Sequence, residues 1–294
     1  MVKFFKLLRT VIAVIALSTS LTTGARGETV LDAVQSVERN LDARVGFYMH
    51  DTHTGDVITY AENDRFPLNS TFKLLACGAL LSQAERGTTN LTNTVSLLGA
   101  EIVSYSPAIK DAIRSGRREI TLDDACRMML SVSDNTAANL ILSEIGGPEG
   151  VTAFLRSIGD QVTRLDRWET SLNEAVPDDP RDTTSPRAIA ISLQKLLMSD
   201  VLSSSSRATL REWLSAHSVA DALFRAALPE TWSIEDRTGA GGYGSRSIIA
   251  VIYPPNRLPI IVTLFMTETN ASFSQRNAAA ARIGKAIVGR VEHN

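Results

Sequence analysis

Histidine and cysteine are both scarce in this chain, with four of the first and two of the second in 294 residues. Two cysteines cannot complete a zinc site. Of the histidines, His217 and His293 stand alone, and His50 and His53 fall in YMHDTHTGD, which reads as a strand end running into a turn. Metal chemistry therefore has no ligand set in the sequence. Charge of one sign is lacking too: 30 Lys and Arg face 32 Asp and Glu, for a net charge of −2. Without a basic cluster, nucleic acid is excluded as a partner. Repeats and low-complexity segments are missing, and a 44% hydrophobic content suffices for a sizeable core. Long apolar runs are missing as well, and VIAVIAL at residues 11–17 is too short to remain as a membrane anchor.

That run does have a reading. Lys3, Lys6 and Arg9 precede it, and Ala25 and Gly27 form a small-x-small cleavage site before Glu28. Residues 1–27 are thus expected to be a secretory signal, and residues 28–294 a periplasmic protein with no stable membrane association. No cysteine lies near the cut, so a lipid anchor is not expected. Losing Lys3, Lys6, Arg9 and Arg26 takes the net charge from −2 to about −6. In an oxidising compartment Cys77 and Cys126 are expected to pair as a structural disulfide.

Hydrophobic periodicity divides the mature chain in three. VLDAVQSVERNL reads as an amphipathic helix, and ARVGFYMHD and DVITYAEN as strands joined at Thr54-Gly55. From Pro67 to about His217 the pattern is helical with short polar loops. Thr121 with Asp124 makes an N-terminal capping arrangement, and Pro186 opens another helix. TWSIEDRTG, SRSIIAVIYPP and LPIIVTLFMT are β-rich, and RNAAAARIGKAIVGRV closes as a helix. Strands at both ends around a helical middle predict an α+β fold. In it an antiparallel sheet flanked by helices is built from both termini (residues 28–64 and 215–294). An all-α lobe (65–214) is inserted, and the active site lies in the cleft between them.

Four stretches carry chemistry. In FPLNSTFKLLACGALLSQAERG, Asn69 or Ser70 is expected to cap a helix that Gly87 ends, and Lys73 shares a helical face with Ser70. A lysine destabilised by burial can take a serine proton. SVSDNTAAN supplies Ser133, a second hydroxyl able to pass a proton to a leaving nitrogen, and Asn135, a donor and acceptor for a substrate amide. A long polar segment, residues 164–186, carries Glu169 and Asn173 four apart. Last, DRTGAGGYGSR ends one strand with Arg237-Thr238-Gly239-Ala240 and begins the next with Arg246. Its glycines are no phosphate cradle, because no βαβ unit surrounds them. Backbone N–H groups of such a strand and of the nucleophile's turn can form an oxyanion hole. Arg237 and Arg246 imply a carboxylate on the ligand. These groups need no cofactor.

The four motifs S-T-F-K, S-D-N, E-T-S-L-N and R-T-G, in this order and spacing, resemble those of the class A serine β-lactamases over essentially the whole mature chain. The resemblance implies hydrolysis of the β-lactam amide, and so antibiotic resistance, through an acyl-enzyme on Ser70 deacylated by water held by Glu169 and Asn173. Ser133 and Lys73 would move protons, with Lys73 and Glu169 both open as the acylation base. Tyr105 would be the aromatic wall of the cleft, Arg167 and Asp182 the ion pair pinning the Ω-loop, and Cys77–Cys126 the disulfide. Thr170 stands where many members have proline, and the resemblance implies a cis bond before it. Arginine at 237, where lysine is usual, resembles the carbenicillin-hydrolysing branch. A monomer acting on a small molecule is expected. The rival readings are a penicillin-binding D-Ala-D-Ala peptidase, which lacks the deacylating pair, and a non-catalytic β-lactam sensor, which needs a signalling domain.

Overall fold

The computed structural model describes residues 28–215 and 219–293, so the signal expected at residues 1–27 and His217 lie outside the described residues. Helix α1 (Val30–Leu41) starts at Thr29, whose hydroxyl accepts the Asp32 N–H, and ends at Asp42 in the left-handed region. Strand β1 (Arg44–Asp51) turns at Gly55, φ +81°, into β2 (Val57–Tyr60). The short β3 (Phe66–Pro67) leads to a 3₁₀ turn, Asn69–Thr71, and then to α2 (Phe72–Glu85). Next come β4 (Thr94–Ser96), α3 (Pro107–Arg114), β5 (Glu119–Thr121), α4 (Leu122–Ser131), α5 (Asn135–Glu144) and α6 (Gly147–Ser157). A loop with one 3₁₀ turn (Ser171–Asn173) runs to β6 (Thr183–Thr184), α7 (Pro186–Met198) and α8 (Ser204–Ser215). Strands β7 (Ser233–Ala240), β8 (Arg246–Tyr253) and β9 (Ile260–Thr267) and helix α9 (Phe273–Glu292) complete the chain.

The main sheet runs β2-β1-β9-β8-β7, every neighbouring pair antiparallel, so the N-terminal hairpin docks onto the last strand. Strands β8 and β9 are buried almost throughout rather than at alternate positions. Apolar side chains cover both their faces. Ile248, Ile252 and Val262 pack with α1 and α9, while Ile249, Val251 and Phe265 join the core of the helical region. Strand β7 is left at the sheet edge.

Helix α2 is buried from Phe72 to Ser82, on every side rather than along one stripe. It is therefore the central helix of its lobe, and a lysine on it has no route to water. The capping box expected at Thr121 and Asp124 forms in full. Two small ribbons, β3–β6 and β4–β5, interrupt the helices where only loops were expected. Strands of two or three residues are too short to leave a periodic signal.

Cys77 on α2 and Cys126 on α4 form a disulfide with Cα atoms 6.0 Å apart. Closing a 49-residue separation stabilises the fold by about 2–4 kcal/mol. Both helices also sit in one continuous apolar core. Reduction should thus lower the melting temperature by roughly 5–15 °C and leave activity at room temperature in place. A thermal scan and an activity assay in reductant check this; loss of activity without unfolding would contradict it.

Candidate active site

Ser70 lies in the 3₁₀ turn ahead of α2, and neither it nor Asn69 caps the helix by its side chain. This corrects the capping expectation. Asn69, at φ +44° and fully buried, instead donates its amide to Ser245 Oγ at 3.0 Å, tying the nucleophile's turn to the β7–β8 hairpin. Gly239 permits the close approach. A Cβ there would meet Ser247 Oγ at 2.7 Å, Asn69 Cβ at 2.8 Å and the Leu68 carbonyl at 3.0 Å. Edge strand β7 thus lies against the nucleophile's turn.

Lys73 is fully buried and donates to Asn135 Oδ1 at 2.5 Å, the Ser133 carbonyl at 2.9 Å and Ser133 Oγ at 3.2 Å. Glu169 Oε1 lies 3.1 Å from the same ammonium. Burial, with help from Arg237, lowers the lysine to about 8 against the pull of Glu169. At neutral pH it keeps a minor neutral fraction that can accept a proton. The helical spacing predicts a lysine turned toward Ser70, but the hydrogen-bond partner of Ser70 is Ser133, which donates to Ser70 Oγ at 3.1 Å. The lysine is drawn instead to the oxygens that compensate its buried charge.

Ser133 sits at φ +63° between α4 and α5. A serine there can be a helix cap, yet Asp134 does that work, accepting Ala137 N–H at 2.9 Å and Ile109 N–H at 3.0 Å. The Ser133 hydroxyl is left as a hub: it accepts from Lys73 and from Arg237 Nη2 at 2.6 Å while donating to Ser70. Two cations on one oxygen favour release of its proton. Asn135 is more committed than its sequence context suggests. Its oxygen takes the lysine and its amide donates to the Ser104 carbonyl at 2.9 Å, so its share in binding a substrate narrows to the second amide hydrogen. Tyr105, at φ +56° and 58% exposed, forms a wall of the cleft. Left-handed backbone at Asn69, Tyr105 and Ser133 costs about 1–2 kcal/mol each, which the surrounding fold must offset.

The loop side is equally organised. Arg167 Nε donates to Asp182 Oδ2 at 2.5 Å, and Asp182 Oδ1 accepts the Asp166 and Arg167 N–H groups. Glu169 is buried, follows the lysine, and accepts from Asn173 Nδ2 at 2.5 Å. The Glu169–Thr170 bond is cis. Asn139, which the sequence reading missed, clamps the glutamate's backbone from both sides: its oxygen accepts the Glu169 N–H and its amide donates to the Glu169 carbonyl, each at 2.9 Å. The signal was present as S-D-N-T-A-A-N, with Asn135 and Asn139 one turn apart.

A cleft of about 310 Å³ brings Ser70, Ser133, Asn135 and Asn173 together with Thr238, Gly239, Ala240 and Arg246. Lys73, Glu169 and Arg237 stand behind its floor, fully or nearly fully buried. Burial lowers both Arg237 and Arg246 to about 10, so both remain cationic at neutral pH. Val219 and Phe273 also line the cleft and were not legible beforehand, since nothing local marks them. A larger cavity of about 400 Å³, under the loop near Arg44 and Arg181, contains none of the reactive groups.

A serine fed by a buried lysine and a second serine, faced by a buried carboxylate in a cationic cleft, defines a serine hydrolase acting by acyl transfer. The profile of the β-lactamase enzyme family matches residues 29–291, and the chain belongs to that family. It is similar to β-lactamase CARB-3 of Pseudomonas aeruginosa, 48% identical over 86% of this chain and 87% of that protein. It is also similar to β-lactamase AER-1 of Aeromonas hydrophila, 47% identical over 87% of this chain and 83% of the other. Among solved structures it resembles an ancestral class A β-lactamase of Gram-negative bacteria, with a TM-score of 0.85 and 43% identity over 89% of this chain and all of that one. The chromosome-encoded β-lactamase of Vibrio parahaemolyticus gives a TM-score of 0.86 at 41% identity, over 90% of this chain and all of the other. This chain is a class A serine β-lactamase.

Proposed function

We propose that the enzyme hydrolyses penicillins, carboxypenicillins included, as a periplasmic monomer with the division of labour that follows. Arg246 and Thr238 hold the substrate carboxylate at the cationic end of the cleft. The N–H groups of Ser70 and Ala240 receive the lactam oxygen as it becomes an oxyanion. Ser70 Oγ attacks the carbonyl carbon and its proton passes to neutral Lys73. As the C–N bond breaks, Ser133 gives its proton to the lactam nitrogen and is restored by the lysine. Water held between Glu169 and Asn173 then cleaves the ester: the carboxylate takes a water proton, hydroxide adds to the acyl carbon, and Ser70 leaves with a proton.

The observation that carries this reading is the Glu169–Asn173 pair, 2.5 Å apart, with Glu169 buried 3.1 Å from Lys73 and Asn173 reaching the cleft. A slow-deacylating peptidase has no use for it. The disulfide and the basic–apolar–small pattern of residues 1–27 support export.

Steady-state assays of purified protein on benzylpenicillin, carbenicillin and an oxyimino-cephalosporin test it. Repeated turnover of the first two is expected. A single burst followed by a stable adduct would favour the peptidase reading instead. Arg237→Lys keeps a charge near Ser133 but loses the planar fork. A fall in kcat of roughly 3- to 30-fold is expected, about the value of a charged hydrogen bond. An unchanged kcat would remove Arg237 from the proton path.

A further inference from the structure

We infer that Phe273 is a positioning residue: its ring holds the Arg246 guanidinium in the plane from which it grips the substrate carboxylate. The inference rests on the carboxylate-binding role proposed for Arg246. Phe273 is the first residue of α9, where Ser272 and Gln275 close a capping box that fixes the backbone. The residue is 50% exposed and belongs to neither apolar core, yet it lines the cleft. An exposed phenylalanine at a helix start contributes little to stability, so its value must lie in what it touches.

It touches two cations. The Arg246 guanidinium carbon lies 4.8 Å from the ring centroid and that of Arg276 lies 5.5 Å from the same ring. Phe273, Arg276 and Asn277 stand at i, i+3 and i+4, one face of the first turns of α9, and this face meets β8 at Arg246. Asn277 Oδ1 accepts Arg246 Nε at 2.9 Å and the Gly239 carbonyl accepts Nη1 at 2.9 Å. These two bonds hold the guanidinium from two directions. Among the described residues Nη2 has no hydrogen-bond partner, and it is the amine left for a ligand. The two acceptors fix the guanidinium within its own plane, and the ring against its face limits tilting out of that plane. The ring also offers its electron-rich face to both guanidiniums, whose like charges would otherwise favour moving apart. Arg276 is tied back by its own donation to the Ser245 carbonyl at 3.1 Å.

The test is steady-state kinetics on benzylpenicillin with Phe273→Leu, Phe273→Tyr, Arg246→Ala and the Phe273→Leu/Arg246→Ala pair. Phe273→Leu should raise KM roughly 3- to 10-fold, the range of a partly desolvated cation–π contact, with kcat within about twofold. Phe273→Tyr keeps an aromatic face and should restore KM. In the Arg246→Ala background Phe273→Leu should add nothing. An unchanged KM in Phe273→Leu, or the same increase with and without Arg246, overturns the inference. A merely structural role would lower the melting temperature in the leucine variant and raise KM independently of Arg246. If Arg246→Ala itself leaves KM unchanged, the carboxylate-binding role of Arg246 fails instead.

Discussion

Replacing Glu169 by glutamine should turn this catalyst into a trap. Water is a poor nucleophile, and the lactam nitrogen stays tethered to the acyl group, so the ester persists until a base activates water beside it. General-base help is worth about 10²- to 10⁴-fold, and deacylation should slow by that factor. Acylation should survive, for an electrostatic reason. The Glu169 carboxylate raises Lys73, while burial and Arg237 lower it to about 8. Removing the carboxylate takes away the largest raising influence and leaves Asp134 alone against burial and Arg237, so the lysine loses its proton at lower pH than in the wild type and its neutral fraction at pH 7 grows. Stopped-flow acylation in Glu169→Gln should accordingly rise with pH through a midpoint below 8. A rate independent of pH across that range would exclude neutral Lys73 as the base in the variant, and wild-type turnover would exclude the deacylation mechanism.

Ser70→Ala is expected to lose turnover by at least about 10⁴-fold, as removal of the nucleophile does in other serine hydrolases. The substitution is informative because Ser133 Oγ lies 3.1 Å from Ser70 Oγ and also touches Lys73 at 3.2 Å. On distance to the lysine alone, Ser133 qualifies as a nucleophile. It is disqualified by its partners, since Arg237 and Lys73 both donate to its oxygen and occupy the lone pairs an attack on carbon would need. Binding through Arg246 and Thr238 should persist in the alanine variant, and a titration of substrate binding distinguishes this from a misfolded protein.

Much of the fold is legible because its signals are local. Helix α1 spans the residues its periodicity marks, the Thr54-Gly55 turn joins β1 to β2, and the Thr121–Asp124 box opens α4. Helix α2 is equally plain as an apolar run, but its start is not. Asn69 has the chemistry of a cap and the backbone of a left-handed turn, and a partner 176 positions away, Ser245, decides between them. The reactive residues of the site are legible as motifs, whereas their pairing is not. Lys73 turns to Ser133, Asn135 and Glu169 because burial on all sides of α2 leaves those oxygens as its compensation, and no local spacing encodes that. Asn139 and Phe273 escaped for the same reason: each matters through a residue distant in sequence, Glu169 in one case and Arg246 in the other.

The central claim is that chemistry passes through an ester on Ser70, and it is tested most directly by mapping that ester. Glu169→Gln protein is mixed with benzylpenicillin, quenched in acid, digested and examined by tandem mass spectrometry. One penicilloyl group per chain is expected, on the peptide carrying Ser70 and localised to that hydroxyl, and absent when Ser70→Ala is added. An adduct on Ser133, or turnover with no covalent adduct at any time, would contradict the mechanism.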